Sequence, residues 1–189
     1  MVSKEAVRLA CKTKRAALCA DECALWAQDL ATQVLALPEY QQAHSIMLYL
    51  AMPKEANLDA VVEQALADGK QVYVPVCVDK TKMVAARLTS MDDIEYGVLH
   101  IRIPKSPYEI IKPEDIDLVM VPGAGFDRQG GRMGMGNGYY DRFLQSVRPG
   151  HFVAVAWQAQ LSEDTIPMED YDVRMTKIVT EQAVIVPKV

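Results

Sequence analysis

Hydrophobic positions in the amino-terminal part of the chain recur at intervals of three and four residues. Val7, Leu18 and Leu30 belong to this series, and such spacing places apolar side chains on one face of a helix. The segment CADECA interrupts the series, and Asp21 within it could cap a second helix, which we expect to end at Pro38. The pattern therefore predicts a pair of helices before the first strand.

Two continuous apolar runs then flank an amphipathic segment. SIMLYLAM at 45–52 and QVYVPVCV at 71–78 are short enough to be strands buried on both faces of a sheet. Between them, Asn57 is a suitable N-cap for the helical pattern of LDAVVEQALADGK, and Gly69 is a suitable stop. A strand, a helix and a strand in this order predict a parallel βαβ unit.

The rest of the chain continues this alternation. After a short strand, KMVAARL, and an irregular proline-rich stretch, we predict strands in DLVMVPG, HFVAVAW and KIVTEQAVIV, with a helix from about Tyr139 to Ser146. The predicted fold class is α/β: a single domain over residues 1–189 with a mainly parallel central sheet and helices on both faces. Ligands of such sheets lie beyond the carboxyl ends of the strands, which places AMPKE and the segment after DLVMV on one edge.

Composition narrows the class of protein. The 189 residues are 50% hydrophobic and 24% charged, which suits one folded domain, and the net charge of -5 argues against a nucleic-acid surface. The sequence shows neither the apolar core of a signal peptide nor a run long enough for a membrane helix. The four cysteines form no C-x-x-C pair and the three histidines lie far apart, so we predict neither a disulfide framework nor a zinc site. We expect a cytoplasmic monomer that binds small molecules, with no nucleic-acid or membrane partner.

The segment GFDRQGGRMGMGNGYYDRFL at 125–144 carries six glycines around a predicted helix start. Glycine permits positive φ angles and close approach of the backbone, so successive N–H groups can turn inward around a phosphate. Arg132 could donate two hydrogen bonds to phosphoryl oxygens, and the helix start at Gly138 or Tyr139 would add partial positive charge. Asp141, in the first helical turn, would repel phosphates unless a divalent cation lay between them, which suggests a Mg²⁺ ligand.

The spacing excludes two phosphate-binding motifs. The G-x-x-x-x-G-K-[ST] order of the Walker A loop is absent, and GMGNGYYD lacks the G-x-G-x-x-G of dinucleotide-binding folds. A tight connection, with Asp141 complementing the helix dipole, would also explain an isolated glycine cluster. The combination of closely spaced glycines, an arginine, two tyrosines and an aspartate favours a phosphate site.

The same segment resembles the signature of the 5-formyltetrahydrofolate cyclo-ligase family, also called 5,10-methenyltetrahydrofolate synthetase. That signature reads approximately Pro-Gly-x-x-Phe-Asp-x-x-Gly-x-Arg-Leu-Gly-x-Gly-x-Gly-Tyr-Tyr-Asp, and the chain has VPGAGFDRQGGRMGMGNGYYD. The pair Lys4-x-x-x-Arg8 and the blocks LYLAMPKE and YDVRMTKIVTE resemble other parts of the family in the same order. The resemblance implies an ATP-dependent ligase that converts 5-formyltetrahydrofolate to 5,10-methenyltetrahydrofolate in the presence of Mg²⁺.

In the implied mechanism, the formyl oxygen attacks the γ-phosphate of ATP to give an imidate phosphate. The neighbouring folate nitrogen then closes the ring and phosphate leaves. This reaction requires positioning and positive charge around the transferred phosphoryl group rather than a protein nucleophile.

The resemblance also implies roles for individual residues. Arg132 and Tyr140 are the implied catalytic residues, Asp141 is the implied Mg²⁺ ligand, and Leu50 and Glu55 are implied to bind the folate. The implied ATP-binding residues are Lys4, Arg8, Arg132, Met133, Gly134, Met135, Gly136, Asn137, Gly138, Tyr139 and Tyr140. Those implied to border the folate as well are Met135, Gly136, Asn137, Gly138 and Tyr139. The carboxylate of Glu55 can accept the planar pair of N–H donors that a pterin presents.

Some positions depart from the family pattern. Thr176 stands where the family commonly has a second metal-binding aspartate, so the metal is expected to rest chiefly on Asp141 and phosphate oxygens. Asn137 replaces a glycine or lysine, and HIRIP lacks the aromatic residue that some members place before this Ile-Pro. Trp157 either lines the pterin pocket or packs in the core.

Two other functions are compatible with the residues alone. A sugar-phosphate isomerase or an acyl transferase could use the same fold and phosphate nest, although Gly-Tyr-Tyr-Asp suggests neither a general base nor a carboxylate nucleophile. A nucleotide or folate binder without turnover would keep the fold, and Thr176 and Asn137 keep that alternative open. Folate-dependent ATP hydrolysis would separate the ligase from both.

Overall fold

The structure, a computed structural model, describes residues 3–97 and 100–187. Its α-helices are α1 Lys4–Ala16, α2 Ala20–Leu35, α3 Pro38–Gln42, α4 Asp59–Ala67 and α5 Tyr139–Leu144. Its strands are β1 Ser45–Met47, β2 Gln71–Cys77, β3 Met83–Leu88, β4 Ile94–Tyr96, β5 Arg102–Pro104, β6 Ile110–Ile111, β7 Leu118–Val121, β8 Gly125–Asp127, β9 Arg132–Met133, β10 Phe152–Val155, β11 Leu161–Ser162, β12 Ile178–Val179 and β13 Val184–Ile185. Within the described ranges, no helix combines the length and apolarity needed to cross a bilayer.

The centre of the fold is an eight-stranded mixed sheet with the strand order β13-β12-β10-β7-β1-β2-β3-β6. The five strands from β12 to β2 pair in parallel, including the predicted β1-α4-β2 unit. Strands β3, β6 and β13 add antiparallel pairs at the two edges. The predicted α/β class and mainly parallel sheet are thus confirmed.

Alternate side chains of the central strands point into two separate hydrophobic layers. Ile46 of β1 belongs to the layer that contains Leu30 of α2 and Val61 of α4. The next residue, Met47, belongs to the opposite layer, which contains Phe143 of α5. Helices therefore cover both faces, and burial on both faces explains why these strands appear in the sequence as continuous apolar runs.

The ends of several helices differ from the predictions. Cys19, not Asp21, occupies the N-cap of α2, and it makes no side-chain hydrogen bond there. Pro38 begins the short helix α3, because the fixed φ of proline suits the first helical turn. Asn57 does accept a hydrogen bond from the N–H of Asp59, at 2.7 Å, but it lies one residue before the N-cap of α4.

Two predicted strands are shorter or divided. β1 ends at Met47, although the chain stays buried through Leu50. KIVTEQAVIV forms the antiparallel pair β12 and β13 rather than one strand. Thr180 closes the turn between them: its N–H donates to the carbonyl of Ala183 at 2.9 Å and its hydroxyl accepts from the N–H of Ala183 at 3.1 Å.

A three-stranded sheet, in the order β11-β8-β9, contains the first half of the glycine-rich segment. It lies beneath α1, where Cys11 packs with Ala124 and Met133. A Cβ on Gly125 would overlap the Sγ of Cys11, so glycine is needed for this approach of helix and strand. The helix that carries Lys4 and Arg8 is thereby held against the strands that lead into the predicted site.

Asp127 is a fully buried carboxylate that organises the turn between β8 and β9. Its Oδ1 accepts hydrogen bonds from the N–H groups of Gln129 and Gly131, both at 2.8 Å. Its Oδ2 accepts one from the N–H of Ile166 at 2.7 Å, which ties the turn to a distant loop. These three charge-assisted bonds offset the desolvation of the carboxylate.

The variant Asp127→Asn is expected to lower the free energy of unfolding by about 2–4 kcal/mol, because an amide NH₂ would face backbone donors that it cannot satisfy. Urea denaturation measures this loss. Asp164→Asn, at an exposed position, is the control, and it should change stability by less than about 0.5 kcal/mol. An equally small change in Asp127→Asn would show that the buried carboxylate does not stabilise the turn.

Candidate active site

The two stretches predicted to share one edge of the sheet meet there. Glu55 follows β1, and the glycine-rich segment follows β7. Arg15 of α1 contacts both, because its Nη1 lies 3.1 Å from Oε1 of Glu55 and its Nη2 lies 3.6 Å from Sδ of Met135. This edge is the carboxyl end of the parallel strands, where ligand sites of such sheets lie.

Arg132 and Asp141 form an ion pair at this edge. Nη2 of Arg132 lies 2.8 Å from Oδ2 of Asp141, and the two side chains are 4% and 15% exposed. Nη1 of Arg132 donates to the carbonyl of Pro122, directly after β7, at 3.2 Å. Oδ1 of Asp141 accepts a long hydrogen bond of 3.4 Å from the N–H of Val173. The guanidinium is therefore fixed, while Oδ1 of the carboxylate retains capacity for a ligand.

Buried polar atoms without hydrogen-bond partners border the glycine-rich segment. The described residues contain four such side-chain atoms, and three of them are Nε of Arg8, Nε of Arg132 and the hydroxyl of Tyr140. Nε of Arg8 lies 3.7 Å from the position that a Cβ would take on Gly136, and the Arg132 guanidinium lies 5.8 Å from the centroid of the Tyr140 ring. Unsatisfied buried donors are costly, so these three indicate a ligand that accepts hydrogen bonds.

The Tyr140 hydroxyl keeps its proton at neutral pH and can donate it in a hydrogen bond to a ligand. Burial raises its pKa well above the ordinary tyrosine value, and the negative charge of Glu55 raises the pKa further, although Arg132 opposes the shift. Because a tyrosine with a raised pKa stays protonated, Tyr140 suits hydrogen bonding to an anionic acceptor and does not suit the role of a general base.

Tyr139 and Arg142 fasten the end of the glycine-rich segment to the turn between β2 and β3. The Tyr139 hydroxyl donates to the carbonyl of Asp79 at 2.8 Å. Arg142 donates through Nε to the carbonyl of Thr81 at 2.8 Å and through Nη2 to the carbonyl of Asn137 at 2.6 Å. These contacts hold the segment in place, so the polar ends of the Tyr139 and Arg142 side chains are already engaged before any ligand binds.

One face of α1 lies along the site. Four basic residues of α1 recur at intervals of four, four and three positions, which places them on one side of the helix. They are Lys4, Arg8, Lys12 and Arg15. Lys4 forms an ion pair with Asp172 of the carboxyl-terminal tail, and Nζ of Lys12 donates to the carbonyl of Met135 at 3.2 Å. The family resemblance implied Lys4 and Arg8 but not Lys12 and Arg15, which continue the same helical spacing.

Some of the predicted contact residues lie in the hydrophobic core. Leu50 is buried in the hydrophobic layer that contains Leu30 and Val61. The side chain of Met133 is fully buried beneath α1, so only the backbone of Met133 can face a nucleotide. Trp157 is also fully buried. Its Nε1 donates to the carbonyl of Lys54 at 3.2 Å, and its ring packs edge-on against Trp26 with centroids 5.7 Å apart. Trp157 therefore packs in the core and supports the turn that contains Lys54.

The acidic residues fit a metal that arrives with a phosphate ligand. Among residues 3–97 and 100–187, no group of three or more His, Cys, Asp or Glu side chains is arranged to hold a metal ion. Asp172 is engaged by Lys4, and Thr176 is exposed. Mg²⁺ in nucleotide sites commonly binds one or two carboxylates together with phosphate oxygens and water. Oδ1 of Asp141 can supply the one carboxylate ligand that such an ion needs.

A cavity of about 600 Å³ lies at the opposite, amino-terminal end of β2 and shares no residue with this site. Its lining mixes basic and acidic side chains, namely Arg87 and Lys105 with Asp93 and Glu109. None of the unpartnered buried atoms in the described residues belongs to it. The unpartnered donors therefore favour the region beside the glycine-rich segment over this cavity as the ligand site.

Known proteins resemble the chain over nearly its whole length. The profile of the 5-formyltetrahydrofolate cyclo-ligase family matches residues 1–181. The 5-formyltetrahydrofolate cyclo-ligase of Mus musculus is 28% identical over 200 residues, covering 96% of this chain and 95% of the relative. The enzyme of the same name from Haemophilus influenzae is 32% identical over 159 residues, covering 80% and 83%. The NMR structure of Aquifex aeolicus 5,10-methenyltetrahydrofolate synthetase matches with a TM-score of 0.85 at 29% identity, covering 98% and 93% of the two chains. The chain belongs to the 5-formyltetrahydrofolate cyclo-ligase family.

Proposed function

We propose that this protein is an ATP-dependent ligase that converts 5-formyltetrahydrofolate to 5,10-methenyltetrahydrofolate and releases ADP and phosphate. The family match across residues 1–181 and relatives of that name along most of the chain support this activity. They also disfavour the sugar-phosphate isomerase and acyl transferase alternatives, which the fold alone left open.

The observation that carries the proposal is the group of unpartnered buried donors on Arg8, Arg132 and Tyr140 beside the glycine-rich segment. Two guanidinium groups and a protonated phenol present N–H and O–H donors, which match the acceptor oxygens of a polyphosphate. Buried positive charge of this kind stabilises the charge on a transferred phosphoryl group.

In the proposed reaction, the formyl oxygen attacks the γ-phosphorus while the bond to the β-phosphate oxygen breaks and ADP leaves. The neighbouring folate nitrogen then attacks the imidate carbon, its proton is lost, and the carbon–oxygen bond breaks as phosphate leaves. Arg132 and Tyr140 donate hydrogen bonds to the phosphoryl oxygens in both steps. The reaction needs no protein nucleophile. It needs the reactants held in line and positive charge around the transferred phosphoryl group.

Mg²⁺ enters this proposal together with ATP. Asp141 would hold it through Oδ1, because Oδ2 is occupied by Arg132. The bound ion would neutralise charge between the β- and γ-phosphates. The exposed Thr176 can contact the ion only more weakly than a carboxylate would, so Asp141 is the main protein ligand in the proposal.

The turnover test combines purified protein, Mg²⁺-ATP and 5-formyltetrahydrofolate, and follows the near-ultraviolet absorption of the methenyl product. Growth of that band, absent when ATP is omitted, is the expected result. Binding of both ligands without growth of the band would contradict the proposed activity and would favour a binding protein that lacks turnover.

Asp141→Asn is expected to reduce Mg²⁺-dependent turnover by about a hundredfold or more, because the neutral amide is a poor ligand for a hard cation. The measurement is kcat as a function of Mg²⁺ concentration, with thermal unfolding as the check of the fold. Asp170→Asn, an exposed position on the nearby tail, serves as the control. A normal rate and a normal Mg²⁺ dependence in Asp141→Asn would remove this residue from the metal site.

The cytoplasmic location and the monomeric state remain predictions from the sequence. Light scattering of the purified protein at micromolar concentration would test the monomeric state directly.

A further inference from the structure

Arg15 is the one residue of α1 whose side chain reaches both Glu55 and the tip of the glycine-rich segment in the described structure. Its ion pair with Glu55 is largely shielded, since the two side chains are 11% and 12% exposed. A guanidinium donor holds its carboxylate in one orientation, and its removal from a shielded pair leaves the carboxylate without compensation.

The hydrogen bonds of Glu55 leave a specific set of acceptor positions free. A carboxylate has about two acceptor positions on each oxygen. Arg15 takes one on Oε1, and the N–H of Met52 takes one on Oε2 at 2.9 Å. One position on each oxygen remains, and this pair matches two parallel N–H donors on the edge of a pterin.

The other end of the guanidinium contacts the glycine-rich segment. Nη2 of Arg15 meets Sδ of Met135, while Lys12 holds the carbonyl of the same residue. Met135 is exposed at the tip of the segment, where the proposed folate and nucleotide sites adjoin. Arg15 thus links Glu55 to Met135, two residues that the proposed function places at the folate.

We infer that Arg15 is a positioning residue for the reduced folate: it orients the Glu55 carboxylate and sets the distance from Glu55 to Met135. The inference rests on the proposed function, because it assumes that Glu55 receives the pterin. Since Arg15 acts through Glu55 and not on the phosphoryl group, its loss affects the binding of folate more than that of ATP.

The test compares Arg15→Gln, Arg15→Lys and the wild type. Calorimetry without ATP gives the Kd for 5-formyltetrahydrofolate, and steady-state kinetics give KM for each substrate and kcat. We expect Arg15→Gln to raise the Kd and KM for the folate about ten- to a hundredfold. We expect KM for ATP and kcat at saturating folate to stay within about threefold. Arg15→Lys, which keeps the charge, should recover part of the loss. The control is Lys14→Gln, which removes a charge from an exposed position on the same helix.

Several outcomes would overturn this inference. An unchanged folate Kd in a folded Arg15→Gln protein would do so. Equal losses of affinity for folate and for ATP, with no recovery in Arg15→Lys, would also do so, because they indicate a merely structural role. A wild type that binds the folate but does not turn it over would contradict the proposed function, while the comparison of Kd values would still decide the role of Arg15. A wild type that binds no folate would overturn both.

Discussion

Replacing Arg132 by methionine is expected to lower kcat by about a thousandfold or more. Methionine keeps much of the volume but removes the guanidinium that lies beside Tyr140 and holds Asp141. The loss combines the missing stabilisation of the phosphoryl group with a carboxylate left without its partner, and either effect alone is large in a shielded site. The turnover assay at saturating ATP and folate measures the change.

Two further variants make this result interpretable. Arg128→Met removes an arginine from an exposed position in the preceding turn and should leave kcat within about twofold. Arg132→Lys keeps a positive charge near Asp141 but loses the two-pronged donor geometry, so it should fold normally and remain strongly impaired. A folded Arg132→Lys protein with normal kcat would show that Arg132 supports the structure and not the reaction.

The largest stability loss is expected for Gly130→Ala. Gly130 has a φ of 84°, and a Cβ there would overlap the carbonyl oxygen of Met175 in the tail. The backbone at this point is already engaged, because the N–H of Met175 donates to the carbonyl of Gly130 at 2.8 Å. Alanine would therefore add both dihedral strain and a clash with backbone, at a cost of about 3 kcal/mol or more in the free energy of unfolding.

Gly150→Ala is the matched control for this prediction. Gly150 has nearly the same φ, 82°, but no atom lies within 4 Å of the position of its Cβ. Its substitution should cost only the dihedral strain, about 1 kcal/mol. Urea denaturation of both variants isolates the clash as the difference between them. Equal losses would show that the tail does not pack on Gly130 as described.

The central part of the fold was predictable because its signals are local. Apolar runs such as SIMLYLAM, followed by a helix with a stop at Gly69, define a βαβ unit without reference to the rest of the chain. The pairing at the sheet edges was not predictable in the same way. Whether β3 and β13 run parallel or antiparallel to their neighbours depends on contacts between strands and on turns such as the one closed by Thr180.

In the site, too, residues close together in the sequence were predictable, and contacts between distant parts of the chain were not. The glycine-rich segment was identified from its own residues, which lie close together in the chain, and the pair of Lys4 and Arg8 was implied by the family resemblance. The ion pair of Arg15 with Glu55 joins positions 40 residues apart, and that of Lys4 with Asp172 joins positions 168 apart. No spacing rule connects such residues, so neither ion pair was predictable from the sequence.

By itself, the sequence determined the α/β class and the family, and it predicted the glycine-rich segment as the phosphate site. The class follows from periodicity, the phosphate-site prediction from residue types within a short window, and the family from the resemblance of the glycine-rich segment to its signature. Only the tertiary structure decided which donors are buried without partners, which oxygen of Asp141 stays available and which residue links Glu55 to the glycine-rich segment. Burial and partnership are properties of the packed chain, because a charged side chain changes its chemistry when distant segments remove it from water.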